Sequence, residues 1–304
     1  MKFYLYNHQN KGLAFAKALE AAGWEWTARA SEARAVFTDV DVKVRNKALL
    51  GFHQRGAKIF IYPHAARPNL FNDFPGYEPF RYTACQFVVS EGHKEIMRAY
   101  GHPHKLESVG WSLCPIKPFQ AHASYRNVLF APIHPNSDGG MADIQMQMNI
   151  DTYKKLLPLV DAGEIDLTVR LVRSIPQNGL WEHPGVKFIG GKLDLSYAEI
   201  DQADLVVSHQ TFAFLAVARG VPTVMMGEYN SPVICERRVN AYPKSWDKYK
   251  GLLMYPLDIL VEADTRALFA RAVFTDVEIA DWRARLIGEQ FDPIKFVEIV
   301  KRYM

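Results

Sequence analysis

What this chain lacks narrows its class before any motif is read. Three cysteines stand in 304 residues, at Cys85, Cys114 and Cys235. Their odd number, wide spacing and lack of a Cys-x-x-Cys pair exclude a disulfide framework and a structural zinc site, and point to a reducing compartment. No window approaches the ~18 uninterrupted apolar residues of a membrane span. The opening stretch MKFYLYNHQNKG has only a short apolar run and no small-residue cleavage site after it, so the expected location is the cytoplasm. Charge of one sign is not in excess either. Against 36 Lys and Arg stand 33 Asp and Glu, a net +3 that suits an anionic ligand without requiring one. His102 and His104 (GHPHK) have no further ligand types nearby, so no metal is assigned to them.

What is present is ordinary globular composition, 49% hydrophobic and 23% charged, in a chain about twice the usual domain length. Two domains are expected. Strand-like and helix-like stretches alternate along the whole chain, as they do in a mostly parallel sheet covered by helices. Strands are predicted at Lys2–Tyr6, Ala35–Thr38, Lys58–Tyr62 (KIFIY) and Cys85–Ser90, with helices over Lys11–Ala22, Arg45–His53 and Gly92–Tyr100. Trp111–Tyr125 carries two prolines and no period, which reads as a linker. The alternation then restarts: strands at Val128–Pro132, Leu167–Val172, Val186–Ile189, Leu205–Ser208 and Pro222–Met226, helices at Ile150–Val160, Tyr197–Asp201 and Thr211–Arg219. Three closing helices follow, at Thr265–Ala272, Glu278–Ile287 and Pro293–Tyr303. The heptapeptide RAVFTDV occurs at Arg34–Val40 and again at Arg271–Val277, and is read as coincidence.

The strongest chemical signal is Ala203–Met226, ADLVVSHQTFAFLAVARGVPTVMM. A buried strand delivers Ser208, His209, Gln210 and Thr211 to the start of an apolar helix. Free backbone N–H groups and the positive end of the helix dipole make such a turn an anion site. Ser208 or Thr211 is the expected N-cap and a hydroxyl donor to a phosphate. His134, in APIHPNSDGG after a strand, and Arg170, with Arg173 beyond it, are further candidates for holding phosphate charge at strand ends. His64 follows KIFIY, where a histidine with an ordinary pKa near 6.5 can take a proton from a hydroxyl. Glu91 and Asp39 are the competing bases. Asp39-Val40-Asp41 has the spacing of a carboxylate pair for a divalent cation, but the tripeptide is common by chance. Lys43, Arg45, Lys47, Arg55 and Lys58 form a basic run, read first as a solvated helix face.

Ala203–Met226 resembles the C-terminal half of GT-B-fold glycosyltransferases, in which an Ala-Asp, an apolar strand, hydroxyl residues and a Gly-x-Pro frame the donor diphosphate site. Ala203-Asp204, Ser208, Thr211, Ala216, Gly220, Pro222 and Val224–Met226 match that pattern. Gly185–Ile189 resembles the strand whose loop takes the nucleotide base, and Asp194-Leu195 with Tyr197 the helix ahead of the Ala-Asp. Cys85–Pro115 resembles the end of the N-terminal domain. Within the superfamily the chain is most similar to the CDP-glycerol glycerophosphotransferase-like and UDP-N-acetylglucosamine 2-epimerase-like enzymes. Lys58–Pro68 (KIFIYPHAARP) and Tyr249–Ile259 carry the former likeness. The chain also departs from the pattern. The helix reads Phe212-Ala213-Phe214-Leu215 where the family's ribose-binding Glu is expected, residue 65 is Ala where the His-Gly motif needs Gly, and Asn7–Gly12 replaces a Gly-rich loop.

The resemblance implies an α/β protein of GT-B type, two Rossmann-like domains facing each other across a cleft. They would comprise residues 1–117 on the acceptor side, 118–285 on the donor side, and a helix over 286–304 crossing back to the first. It implies a metal-independent, inverting transfer of a glycosyl or glycosyl-like group from a nucleotide diphosphate to a hydroxyl, with no cofactor. His134, Arg170, Phe188, Ile189, Ser208, His209, Gln210 and Thr211 would hold the donor, and His64 or Glu91 would act as base. The acceptor stays open, a polyanion or nucleic acid among the choices. A nucleotide-sugar epimerase or hydrolase, or a non-catalytic binding module of the same fold, are the alternatives.

Overall fold

The computed structural model describes residues 1–6, 13–39, 46–62, 82–99, 105–133, 142–172, 181–191, 197–226, 257–274 and 277–304. The elements run β1 (Lys2–Tyr6), α1 (Leu13–Ala21), β2 (Glu25–Trp26), β3 (Ala35–Asp39), α2 (Asn46–Gln54), β4 (Lys58–Tyr62), β5 (Thr83–Val88), α3 (Glu91–Ala99) and β6 (Leu106–Ser108). They continue as β7 (Asn127–Ala131), α4 (Ala142–Asp161), β8 (Asp166–Val172), β9 (Val186–Gly191), α5 (Tyr197–Asp201), β10 (Leu205–Ser208), α6 (Gln210–Ala218) and β11 (Thr223–Met225). Three helices follow: α7 (Thr265–Val273), α8 (Val277–Leu286) and α9 (Pro293–Tyr303). Two compact units result, Met1–Pro115 with Ala284–Met304, and Ile116–Arg283. Each is a Rossmann-like α/β domain. Among the described residues no helix is long and apolar enough to cross a membrane.

In the first unit six strands lie in the order β2-β1-β3-β4-β5-β6, every pair parallel. Parallel strands are covered on both faces, so they carry unbroken apolar runs. In β4 the residues Ile59, Phe60, Ile61 and Tyr62 are all buried. Phe37, Phe60 and Phe87 stand side by side on β3, β4 and β5, with ring centroids 5.0 and 5.9 Å apart and nearly parallel planes. Phe15 of α1 and Phe296 of α9 close over this ladder, 5.0 Å from each other. The terminal helix is thus part of the first unit's core. Asp292 caps it by accepting from the Ile294 and Lys295 amides, and Pro293 sits in its first turn, where a missing N–H costs nothing. Trp111, wholly buried, laces the returning chain in place. Its amide donates to the Glu289 carbonyl, and its carbonyl accepts from the Phe291 amide.

In the second unit five parallel strands lie in the order β11-β10-β7-β8-β9. The stretch read as a linker is irregular but not free. Lys117 and Gln120 donate their amides to the Ala218 and Gly220 carbonyls at the end of α6.

Two features differ from the sequence reading. The short edge strands β2 and β6 carry too few residues to show a period. Helix α4 starts at Ala142 rather than Ile150, because the polar Asn149 and Thr152 occupy core-facing positions beside Met148 and Tyr153 and break the apolar pattern. The repeated RAVFTDV, as its two settings in the sequence suggest, is strand in β3 and, over Arg271–Val273, the end of α7. Identical residues adopt both states because their surroundings, not their propensities, decide.

Two predictions follow from this architecture. Gly220 has φ +78°, and a Cβ there would run into the Pro118 carbonyl, whereas Gly163 at φ +67° has open space around it. Gly163→Ala should cost about 1 kcal/mol of strain and Gly220→Ala about 3 kcal/mol or more, read by chemical denaturation. His93 is buried in α3, and burial pushes its imidazole down to about 3. The unfolded chain binds that proton near pH 6.5. Stability should therefore fall as the pH drops from about 6.5 toward 3, and His93→Leu should flatten that slope between pH 7 and pH 5.

Candidate functional site

The chain of the second unit builds outward from β7 through β8 to β9, then returns to lay β10 and β11 on the other side of β7. Consecutive connections therefore part between β7 and β10. In open parallel sheets that switch point, at the carboxyl ends of the strands, is where ligands bind. Ala131, the last residue of β7, pairs with Ser208, the last of β10, and Ser208 pairs with Met225 of β11. On the other flank Arg170 of β8 pairs with Ile189 of β9, one residue past the Phe130–Val169 pair. These residues share one row at the carboxyl edge.

Helix α6 starts at this edge. His209, in extended conformation at φ −131°, is its N-cap and gives no side-chain cap bond. The first amides of a helix have no acceptor within it and carry the positive end of its dipole. Gln210 and Thr211 form the first turn. Ser208 does not cap the helix as expected. It is still a strand residue, buried, and its hydroxyl donates to the Ala131 carbonyl at 2.8 Å. It therefore ties the two walls of the switch point together rather than facing a ligand.

Arg170 is also buried, and its Nε donates to Glu199 of α5 at 2.7 Å. Its guanidinium lies 5.5 Å from the Phe212 ring centroid in the first turn of α6. The charge is thus balanced inside the unit, and the arginine braces the start of α6 from below. Phe188 and Ile189 are half-buried on the edge strand β9. Asp201, at the end of α5, accepts from Arg219 and from Lys117. The Arg219 bond, helped by Lys117, holds its carboxyl below the usual range. This cluster anchors the 117–120 segment.

The switch point of the first unit falls between β1 and β3, whose carboxyl ends are Tyr6 and Asp39. Glu91 opens α3 just beyond β5 and is exposed, paired with Lys94 at 3.4 Å. Ser90 ahead of it accepts from the His93 amide and donates to the Arg285 carbonyl. The remaining candidates, His64, His134, Arg173, Asp41, Lys43, Arg45, His102, His104, Asp194-Leu195 and the Asn7–Gly12 loop, lie outside the described residues.

The architecture has relatives among solved structures. The S. aureus MnaA structure with UDP superposes over 100% of this chain and 96% of its own, at a TM-score of 0.58 and 10% identity. A UDP-GlcNAc 2-epimerase from Methanocaldococcus jannaschii covers 99% of this chain and 100% of its own, at 0.53 and 9%. The UDP-GlcNAc 2-epimerase from Neisseria meningitidis bound to UDP-GlcNAc covers the same shares, at 0.51 and 10%. The fold is that of the GT-B group. No protein-family model matches the chain, and no curated protein matches it in sequence.

Two site residues escaped the sequence reading. Glu199 is one carboxylate in a short helix, and only the fold shows Arg170 above it. Asn149 hides in the polar run QMQMN, and its signal is a buried amide on a helix that packs behind the switch point.

The Arg170–Glu199 pair gives a direct test. Glu199→Ala removes the carboxylate paired with a buried guanidinium and should destabilise by about 3 kcal/mol, whereas Arg170→Met should cost less. Urea unfolding of both variants measures the difference.

Proposed function

We propose that this chain is a nucleotide-sugar enzyme which binds a nucleoside diphosphate donor at the β7–β10 switch point. The observation that carries the reading is the start of α6, with His209 as its N-cap, at the carboxyl edge of the switch point. A diphosphate there would meet helix amides and the positive dipole end without a metal. Arg170 is already paired, so its contribution is to hold Phe212 and the turn rather than to carry the phosphate charge alone. Phe188 and Ile189 offer an apolar edge to the base, and His134, which follows β7 in the sequence, is carried over as a further donor.

In the transferase form of this reading, an acceptor oxygen attacks the sugar carbon bearing the diphosphate. The carbon–oxygen bond to phosphate breaks, the nucleoside diphosphate leaves with the electron pair, and the sugar carbon inverts. The acceptor proton passes to His64, with Glu91 as the alternative base. Two of the solved structures that share the fold are named as UDP-GlcNAc 2-epimerases, which favours C2 epimerisation as the second reading. UDP-GlcNAc incubated with the protein alone separates the two. Conversion without an acceptor supports the epimerase, and conversion only with one supports the transferase.

UDP is the first probe, because structures of this fold hold UDP or UDP-GlcNAc. At a hundred times its dissociation constant a ligand adds about 2.7 kcal/mol of stability. Saturating UDP should raise the midpoint of the donor unit by roughly 5–10 °C, with or without EDTA. Loss of the shift in EDTA would replace the metal-free reading with a cation site. No shift with UDP, GDP, CDP, TDP or ADP would overturn the donor site.

A further inference from the structure

Asn149 is wholly buried on the inner face of α4. Its amide pairs with both backbone polar groups of one residue, Ile133. Nδ2 donates to the Ile133 carbonyl at 2.9 Å, and Oδ1 accepts the Ile133 amide at 2.8 Å. Ile133 lies two residues past the end of β7, beyond the strand's ladder, where its N–H and C=O would otherwise lack the partners a ladder supplies. An asparagine reproduces the donor–acceptor pair of a neighbouring strand at this one point. A core-facing helical position is ordinarily apolar, and burying an amide there is costly unless both its groups are bonded. Here both are, and the bonds are local to the carboxyl end of β7.

The same edge is held on its other side by Ser208. Its hydroxyl joins β10 to the Ala131 carbonyl, and its own carbonyl accepts the amide of Met226, the residue just past β11. From α4 to β11 the switch point is therefore cross-braced by two buried side chains, each acting on backbone and neither exposed to bind. We infer that Asn149 is a positioning residue for the donor site. It sets where the chain leaves β7, and so the wall facing the start of α6. This rests on the proposal that the switch point takes a nucleoside diphosphate. Walls fixed before binding lower the ordering cost that the ligand must overcome, so loosening one weakens affinity without touching any group in contact with the ligand.

The test compares Asn149→Leu with Leu156→Ala, which empties a core position on the same helix away from the strand's end. Both variants are first shown to be folded by circular dichroism and ranked by urea midpoint. UDP affinity is then titrated at a temperature where both are native. Asn149→Leu should weaken UDP at least tenfold and speed exchange of the Ile133 amide, whereas Leu156→Ala should stay within twofold of the unmodified protein. Equal affinity in Asn149→Leu and the unmodified protein overturns the positioning role alone. A parallel loss in both variants, tracking their stability, overturns it as well. An unmodified protein that binds no UDP fails the donor reading itself, and the inference falls with it.

Discussion

Parallel strand pairing is the constraint from which the rest of this molecule follows. A strand paired in parallel cannot turn back on its neighbour, so a connection must cross a face of the sheet, as α1, α2 and α3 do in the first unit and α4, α5 and α6 in the second. Both faces are then covered and all carboxyl ends lie along one edge. Once the chain of the second unit reverses its direction of growth between β9 and β10, two connections diverge at that edge and leave a place between them. The same logic acts in the first unit between β1 and β3.

Covering both faces sets the energetics as well. The row of Phe37, Phe60 and Phe87 presents a flat apolar surface that α1 alone does not close, and α9 completes it through Phe296. The C-terminal segment is accordingly bound into the first unit by packing, and by the backbone pairing of Trp111 with residues 289–291. In the second unit the equivalent economy is polar. Asn149, Ser208 and the Arg170–Glu199 pair place buried polar groups where the backbone or a charge needs a partner. Buried polar groups contribute less net stability than apolar ones of similar size, and they are retained where geometry must be specific. All of them lie around the carboxyl edge of one sheet.

The composition and alternation of the chain were enough to determine two α/β units with parallel sheets. Runs such as KIFIY and LVVS can be buried on both faces only in such sheets, and GVPTVMM after an apolar helix marks the turn into β11. The chain also shows, from SHQT ahead of that helix, where the start of α6 belongs. What only the tertiary structure decided is the job of each side chain there. Ser208 looks like a cap in sequence, but the strand continues one residue further than a cap allows, so its hydroxyl turns into the sheet and His209 takes the cap position. Arg170 looks like a phosphate ligand until α5, crossing from the far edge, brings Glu199 onto it. Asn149 looks like a surface residue because its helix start lacks an apolar period, and the reason is that its core contact is a peptide, not a side chain. Local sequence specifies the period and polarity of an element. The partner of a buried polar atom lies 16 to 77 residues away in these cases, and only the fold brings it within hydrogen-bond distance.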